Sequence, residues 1–162
     1  VKYYLDTEFD GHGGPLLSLA LVSEDGLGCH YRTGVRAMDL WVIRNVEPLM
    51  DQHDADIWAT LRGPNYMGSA IREFIERSSL GGDEEHTIIA DSPVDIGRFC
   101  EALSTGDDGV WISTEYPHMT FEVHNVACYP TTLPGAVQHN AWWDAMALRH
   151  LLTTPKEAVN HG

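Results

Sequence analysis

An apolar run, Tyr3 to Leu5, leads directly into Asp6 and Glu8, and Lys2 to Asp10 reads as a strand. Gly11-His12-Gly13-Gly14-Pro15 breaks it with a turn. Leu16 to Ser23 is apolar and of strand length, Glu24-Asp25-Gly26 is the next turn, and Leu27 to Thr33 alternates as a third strand. Three strands joined by two short turns predict an antiparallel meander.

The period then changes. Met38, Trp41, Val42, Val46, Leu49 and Met50 recur at helical spacing, with Asp39 placed to cap the start. Asp51 to Pro64 is irregular and polar and predicts a loop with a short helical turn. Ser69 to Arg77 predicts a helix with Ile71, Phe74 and Ile75 inward, ended by Gly81 and Gly82. His86 to Ala90 is a short β-branched strand that runs into Asp91, which reads as a cap or turn residue. Pro93 opens a helix that buries Ile96, Phe99, Cys100 and Leu103. Ser104 to Gly109 and Pro130 to Gly135 read as loops, Val110 to Ile112 and Phe121 to Val126 as strands. Ala141 to Leu152 is a final helix, and residues 155–162 are a short tail. A meander followed by alternating helices and strands predicts one α/β domain over residues 1–162, a mixed sheet with helices on its faces. Ligands in such folds gather where strand ends meet helix starts.

Composition narrows this little. The 162 residues are 43% hydrophobic, and no apolar run approaches the length of a membrane span, so no membrane association is expected. No basic-then-apolar leader is visible at the N-terminus. Cys29, Cys100 and Cys128 form no paired motif, which predicts reduced thiols, a cytoplasmic protein and no thiolate zinc site. A net charge of −14 argues against broad binding to polyanions. It does not exclude an enzyme that meets phosphates through cations held by some of those carboxylates.

The candidate chemistry begins with Asp6 and Glu8. Side chains at i and i+2 of a strand share a face, so the two carboxylates stand side by side. Like charges about 4 Å apart repel by roughly 4 kcal/mol at an effective dielectric near 20, which a divalent cation between them would relieve. Alone, the pair reads first as a strand end entering a solvated acidic turn. Asp95, at the start of the mid-chain helix, is alone an ordinary first-turn acid. His139 precedes the last helix, and Asp144 follows one and a half turns on. Asp144 lies among Ala141, Trp142, Trp143, Ala145 and Met146, where an unpaired charge is costly.

In order along the chain, Asp6-Thr7-Glu8, Asp95 and His139-Asn140-Ala141-Trp142-Trp143-Asp144 resemble the DEDDh exonucleases, the RNase H-like, metal-dependent 3′–5′ exonucleases. Within that family the chain is similar to the small bacterial RNase AS type. The likeness is carried by Asp6-Thr7-Glu8-Phe9, the Ser18–Gly26 stretch and Trp41-Val42…Val46-x-Pro48, and it spans Tyr3 to about Leu152. An Asn is frequent in the family where Asp91 stands, and an aromatic where Val94 stands.

The resemblance implies an RNase H-like fold and two Mg²⁺ ions, with Mn²⁺ an alternative. Asp6 would bridge both ions, Glu8 and Asp144 would hold one, Asp95 would support the other, and His139 would be the general base. It implies a partner, the 3′ end of single-stranded nucleic acid, with RNA favoured over DNA and a leaning to adenylate. Activity would then rise from mildly acidic to alkaline pH. Phe9 and His12 are candidates to border the terminal nucleotide, and Arg98 to meet a phosphate; each is equally readable as a packing or surface residue. Trp142 and Trp143 read as helix core, and Thr7, on the opposite face from its neighbours, as structural. A 3′–5′ exodeoxyribonuclease with the same site and a non-catalytic RNase H-like binding module are the competing readings. His139-Asn140 alone does not make an HNH nuclease, since that motif's other elements are missing. The helix carrying Trp41 has more large apolar residues than one face buries, which raises a homodimer contact there.

Overall fold

The computed structural model describes residues 1–79, 85–112, 119–126 and 133–154. The Gly81-Gly82 helix stop, Cys128, the start of the Pro130–Gly135 loop and the tail from Pro155 lie outside the described residues.

The elements are β1 (Lys2–Phe9), β2 (Leu16–Ser23), β3 (Gly28–Arg32), α1 (Leu40–Asn45), β4 (Ile57–Thr60), α2 (Met67–Ser78), β5 (His86–Ala90), α3 (Pro93–Leu103), β6 (Met119–Val123) and α4 (Ala141–Thr153). A single 3₁₀ turn, Pro64–Tyr66, leads into α2. The strands form one six-stranded sheet in the order β4-β3-β2-β1-β5-β6. The expected meander is there: β1, β2 and β3 pair antiparallel. The pairs β3/β4, β1/β5 and β5/β6 are parallel. A mixed sheet of this order, flanked by helices, is RNase H-like.

Alternation along β1 builds both sides of the core. Tyr3 and Leu5 join the largest apolar cluster, with Ile71 and Phe74 of α2 and Phe99 of α3. Tyr4 packs on the other face, against Ile89 and Leu148 of α4. Ala20 and Val22 of β2 lie under Trp142, Trp143 and Ala145 of α4. Those tryptophans are core, as their pattern predicts. β3 begins at a glycine because a Cβ at Gly28 would come within 2.4 Å of the Trp142 ring.

Four differences from the sequence pattern have physical reasons. The helix predicted from Met38 to Met50 is helical only over α1 and continues as turns to Asp51, since Pro48 has no N–H to donate. Asp39 does cap it, accepting from Trp41 N and Val42 N. β4 lies inside the stretch predicted to be a loop. It is a four-residue edge strand whose alternate residues, Trp58 and Thr60, face solvent. Val110–Ile112 is not a strand, and Trp111 makes only an isolated bridge to Thr105. Ser92, not Asp91, caps α3, its Oγ accepting from Val94 N at 3.1 Å. Met38, Leu40 and Trp41 remain 84%, 66% and 54% exposed, so α1 does carry apolar surface that the chain itself leaves uncovered. No described helix is long and apolar enough to cross a membrane.

Candidate metal centre

The centre lies where the carboxyl ends of β1 and β5 meet the starts of α3 and α4. Asp6 and Glu8 share one face of β1, the face that packs on α4. The β1–β2 register slips between Glu8 and Phe9. A bulge there bends the strand beside its second carboxylate, a placement common next to functional sites. β5 runs parallel to β1 with Tyr4 opposite Ile89. Continuing that register by two residues sets Asp91 beside Asp6. Asp95 is in the first turn of α3, and Asp144 in the first turn of α4.

The result is two groups of three carboxylates that share one member. Oxygens of Asp6, Glu8 and Asp144 lie within 4.8 Å of one another, and so do those of Asp6, Asp91 and Asp95. All four acids singled out in the sequence thus converge. Asp91, which reads in the sequence as a cap or turn residue, joins them. The missed signal is the place of Asp91: it ends the strand that runs parallel to β1, where it is carried to the same sheet edge.

Two of the acids are held by hydrogen bonds. The Thr7 hydroxyl donates to Asp95 Oδ1 at 2.5 Å. The backbone N–H of Asn140 donates to Asp144 Oδ2 at 3.2 Å. The Asn140 side chain is fully buried. Its Oδ1 caps α4 by accepting from Trp142 N and Trp143 N, and its Nδ2 donates to the carbonyls of Leu49 and Gln52. The indole of Trp143 donates to the Gln52 carbonyl as well, and that of Trp142 to Asp54. The start of α4 is therefore fastened to the 49–54 segment.

His139 does not belong to either carboxylate group. It is exposed, and its ring meets Trp41 edge-on, with centroids 5.1 Å apart. Among the described residues it is the one non-glycine with positive φ, at 59°. Left-handed backbone at such a residue costs on the order of 1–3 kcal/mol and clusters at functional sites.

A cleft of about 430 Å³ adjoins the acids, lined by Glu8, Phe9, His12, Asp39, Trp41 and Val42 among others. Two of the three residues marked as substrate contacts, Phe9 and His12, line it. Arg98 does not: its guanidinium lies 5.4 Å from the centre of the Phe9 ring and donates to the Gly14 carbonyl and to Glu101. It braces the wall of the cleft from behind.

Electrostatics set the chemistry. Burial, and then the charges of Asp95, Glu8, Asp144 and Asp91, push the Asp6 carboxyl well above its ordinary range. Glu8 is pushed up to about 8, by burial first and then by Asp144 and Asp95. Asp144 rises to about 7, where burial outweighs the hydrogen bonds from the Asn140 and His139 backbone. Asp95 rises to about 6, where burial outweighs the Thr7 hydrogen bond. Five convergent carboxylates cannot all ionise without a compensating cation. The donors are all hard oxygens; Cys29 is in the apolar core and Cys100 is packed against it. That set fits a hard divalent cation and not a thiophilic metal.

These shifts give a stability prediction. A carboxyl whose folded value is raised contributes stability that is intact below the unfolded value, near 4, and lost as pH rises through the folded value. With EDTA, the melting temperature should fall from pH 5 to pH 9, most steeply between about 5 and 6, where all four acids are protonated only in the folded chain, and less steeply up to about 8 as Asp95, Asp144 and Glu8 ionise in turn. Mn²⁺ at roughly a hundredfold excess over Kd adds about 2.7 kcal/mol. That is a rise of roughly 5–10 °C at pH 8 for a chain of this size. The rise should shrink toward pH 5. Identical melting curves with Mn²⁺ and with EDTA at pH 8 would overturn the assignment of a metal centre.

No family model matches the chain, and no curated protein matches it.

Proposed function

We propose that the chain is a metal-dependent 3′–5′ exonuclease that shortens single-stranded RNA and releases nucleoside 5′-monophosphates. The observation that carries this reading is Asp6, shared between two carboxylate groups at the strand ends of an RNase H-like sheet. Two divalent ions, when bound, would stabilise the charge that builds on the attacking and leaving oxygens of an in-line displacement at phosphorus. Asp6 would contact both, Glu8 and Asp144 one, and Asp91 and Asp95 the other.

The remaining roles fall to the chain itself. His139 would accept a proton from the attacking water. Its support is its place immediately before the Asp144 helix, exposed and in strained backbone. Water's oxygen bonds to phosphorus, and the 3′ oxygen of the penultimate nucleotide leaves. The Phe9–Trp41 cleft would hold the terminal nucleoside between apolar walls. Arg98 would keep Phe9 in place and not contact phosphate. The preference for RNA, and for adenylate within it, rests on the resemblance to RNase AS-type enzymes.

The test is a time course on 5′-labelled RNA and DNA of several sequences with Mg²⁺ or Mn²⁺. The expected result is a ladder shortening one nucleotide at a time from the 3′ end, faster on RNA and fastest on adenylate tails. Equal rates on DNA would move the reading to an exodeoxyribonuclease. Internal cuts would refute the exonuclease. No hydrolysis of any strand, with metal bound, would favour a non-catalytic binding module.

A further inference from the structure

We propose that Thr7 is a positioning residue for the metal centre, its hydroxyl holding the Asp95 carboxylate within reach of Asp6 and Asp91. This deepens the metal-centre reading and rests on it. Thr7 and Asp95 are both 5% exposed, and the Thr7 Oγ1 to Asp95 Oδ1 distance is 2.5 Å. Thr7 lies between Asp6 and Glu8 but on the opposite face of β1, toward α3.

A buried, inward-facing position of this kind is ordinarily filled by an apolar side chain, since threonine is mostly exposed. The hydroxyl has a single proton to donate, and here it goes to a carboxylate, a bond stronger than one between neutral groups. Removing the hydroxyl would leave Asp95 the hydrogen bonds from the backbone of Thr7 and from its own, and would take away the side-chain bond that fixes how its carboxylate is turned. Three successive residues of β1 would then act on both carboxylate groups: Asp6 and Glu8 directly from one face, and Thr7 through Asp95 from the other.

The test is Mn²⁺ binding, followed by calorimetry and by electron paramagnetic resonance, in wild type, Thr7→Val, Thr7→Ser and Asp95→Asn. Residues that orient metal ligands typically change affinity 10–100-fold when removed. Thr7→Val should weaken the second Mn²⁺ by about that factor, leave the first within about threefold, and lower kcat more than it raises KM. Thr7→Ser, which keeps the donor, should restore the second ion. In the Asp95→Asn background, Thr7→Val should cost nothing further, because the group it positions is already gone.

If Thr7→Val binds both ions as wild type does, or Thr7→Ser is as weak as Thr7→Val, the proposal is wrong and the metal centre stands. If wild type binds no Mn²⁺, the metal-centre reading falls and takes this proposal with it. Should Thr7→Val fold poorly, Thr7→Ala against Thr7→Ser makes the same comparison without a branched side chain. Equal affinities in that pair would refute the role of the hydroxyl.

Discussion

Asp6→Asn should abolish metal-dependent hydrolysis and at the same time raise the melting temperature of the metal-free protein at pH 8. The two effects have opposite signs because they come from one property of the residue. Asp6 is the member common to both carboxylate groups. On the proposed reading its loss would remove a ligand from each ion, and with it transition-state stabilisation of several kcal/mol, or a rate loss on the order of a thousandfold or more. Without metal, the same carboxyl is the most crowded of the set: burial and four neighbouring acids all oppose its charge. Asn keeps the shape and cannot ionise. Removing Asp6 takes its own raised carboxyl out of the balance, so the fall in stability between pH 5 and 9 should lessen, and the gain from Mn²⁺ should largely vanish. The measurements are thermal scans with EDTA and with Mn²⁺, beside the 3′-end assay. A variant that is less stable than wild type without metal would show that Asp6 is held by something other than a cation. One that retains a tenth of the activity would remove Asp6 from the chemistry.

Much of this arrangement is legible in the chain because its parts are local. The meander needs only apolar runs and glycine-rich turns. Asp6, Glu8, Asp95 and Asp144 stand at strand ends and helix starts, where sequence position implies location. What escapes is what depends on partners distant in the chain. β4 is four residues long in polar surroundings and exists because β3 offers it an edge. Asp91 becomes a neighbour of Asp6 only once β5 pairs with β1. Thr7 points away from the site on its own strand, so alternation reads it as structural; only the docking of α3 brings Asp95 to its hydroxyl. Arg98 shows the converse. One turn beyond Asp95 it suggests a phosphate contact, but its donors face the Gly14 carbonyl and Glu101, which come from the turn after β1 and from its own helix.

Asn140→Ala should be the most destabilising of the substitutions considered, and it should weaken metal binding without touching a ligand. The Asn140 amide is fully buried, and both of its ends are used. Its oxygen caps α4 at Trp142 N (3.1 Å) and Trp143 N (3.4 Å). Its nitrogen donates to the carbonyls of Leu49 (2.7 Å) and Gln52 (3.4 Å). Loss of an N-cap costs about 0.5–2 kcal/mol. A buried acceptor left without its partner costs about 1–3 kcal/mol. Trp143 still donates to Gln52, so the Leu49 carbonyl carries most of the second cost. The sum is roughly 2–5 kcal/mol, a large share of the 5–15 kcal/mol typical of a folded domain. The consequence reaches the metal centre because the backbone N–H of the same residue donates to Asp144 Oδ2. A frayed first turn lets Asp144 drift from Asp6 and Glu8, so Mn²⁺ affinity should fall even in the fraction that remains folded. Asn140→Asp separates the two functions: it keeps a capping oxygen, loses the donor to Leu49, and places a further charge beside Asp144. Urea unfolding should rank wild type above Asn140→Asp and Asn140→Ala. A loss below 1 kcal/mol for Asn140→Ala would mean that the start of α4 is held by its tryptophans alone.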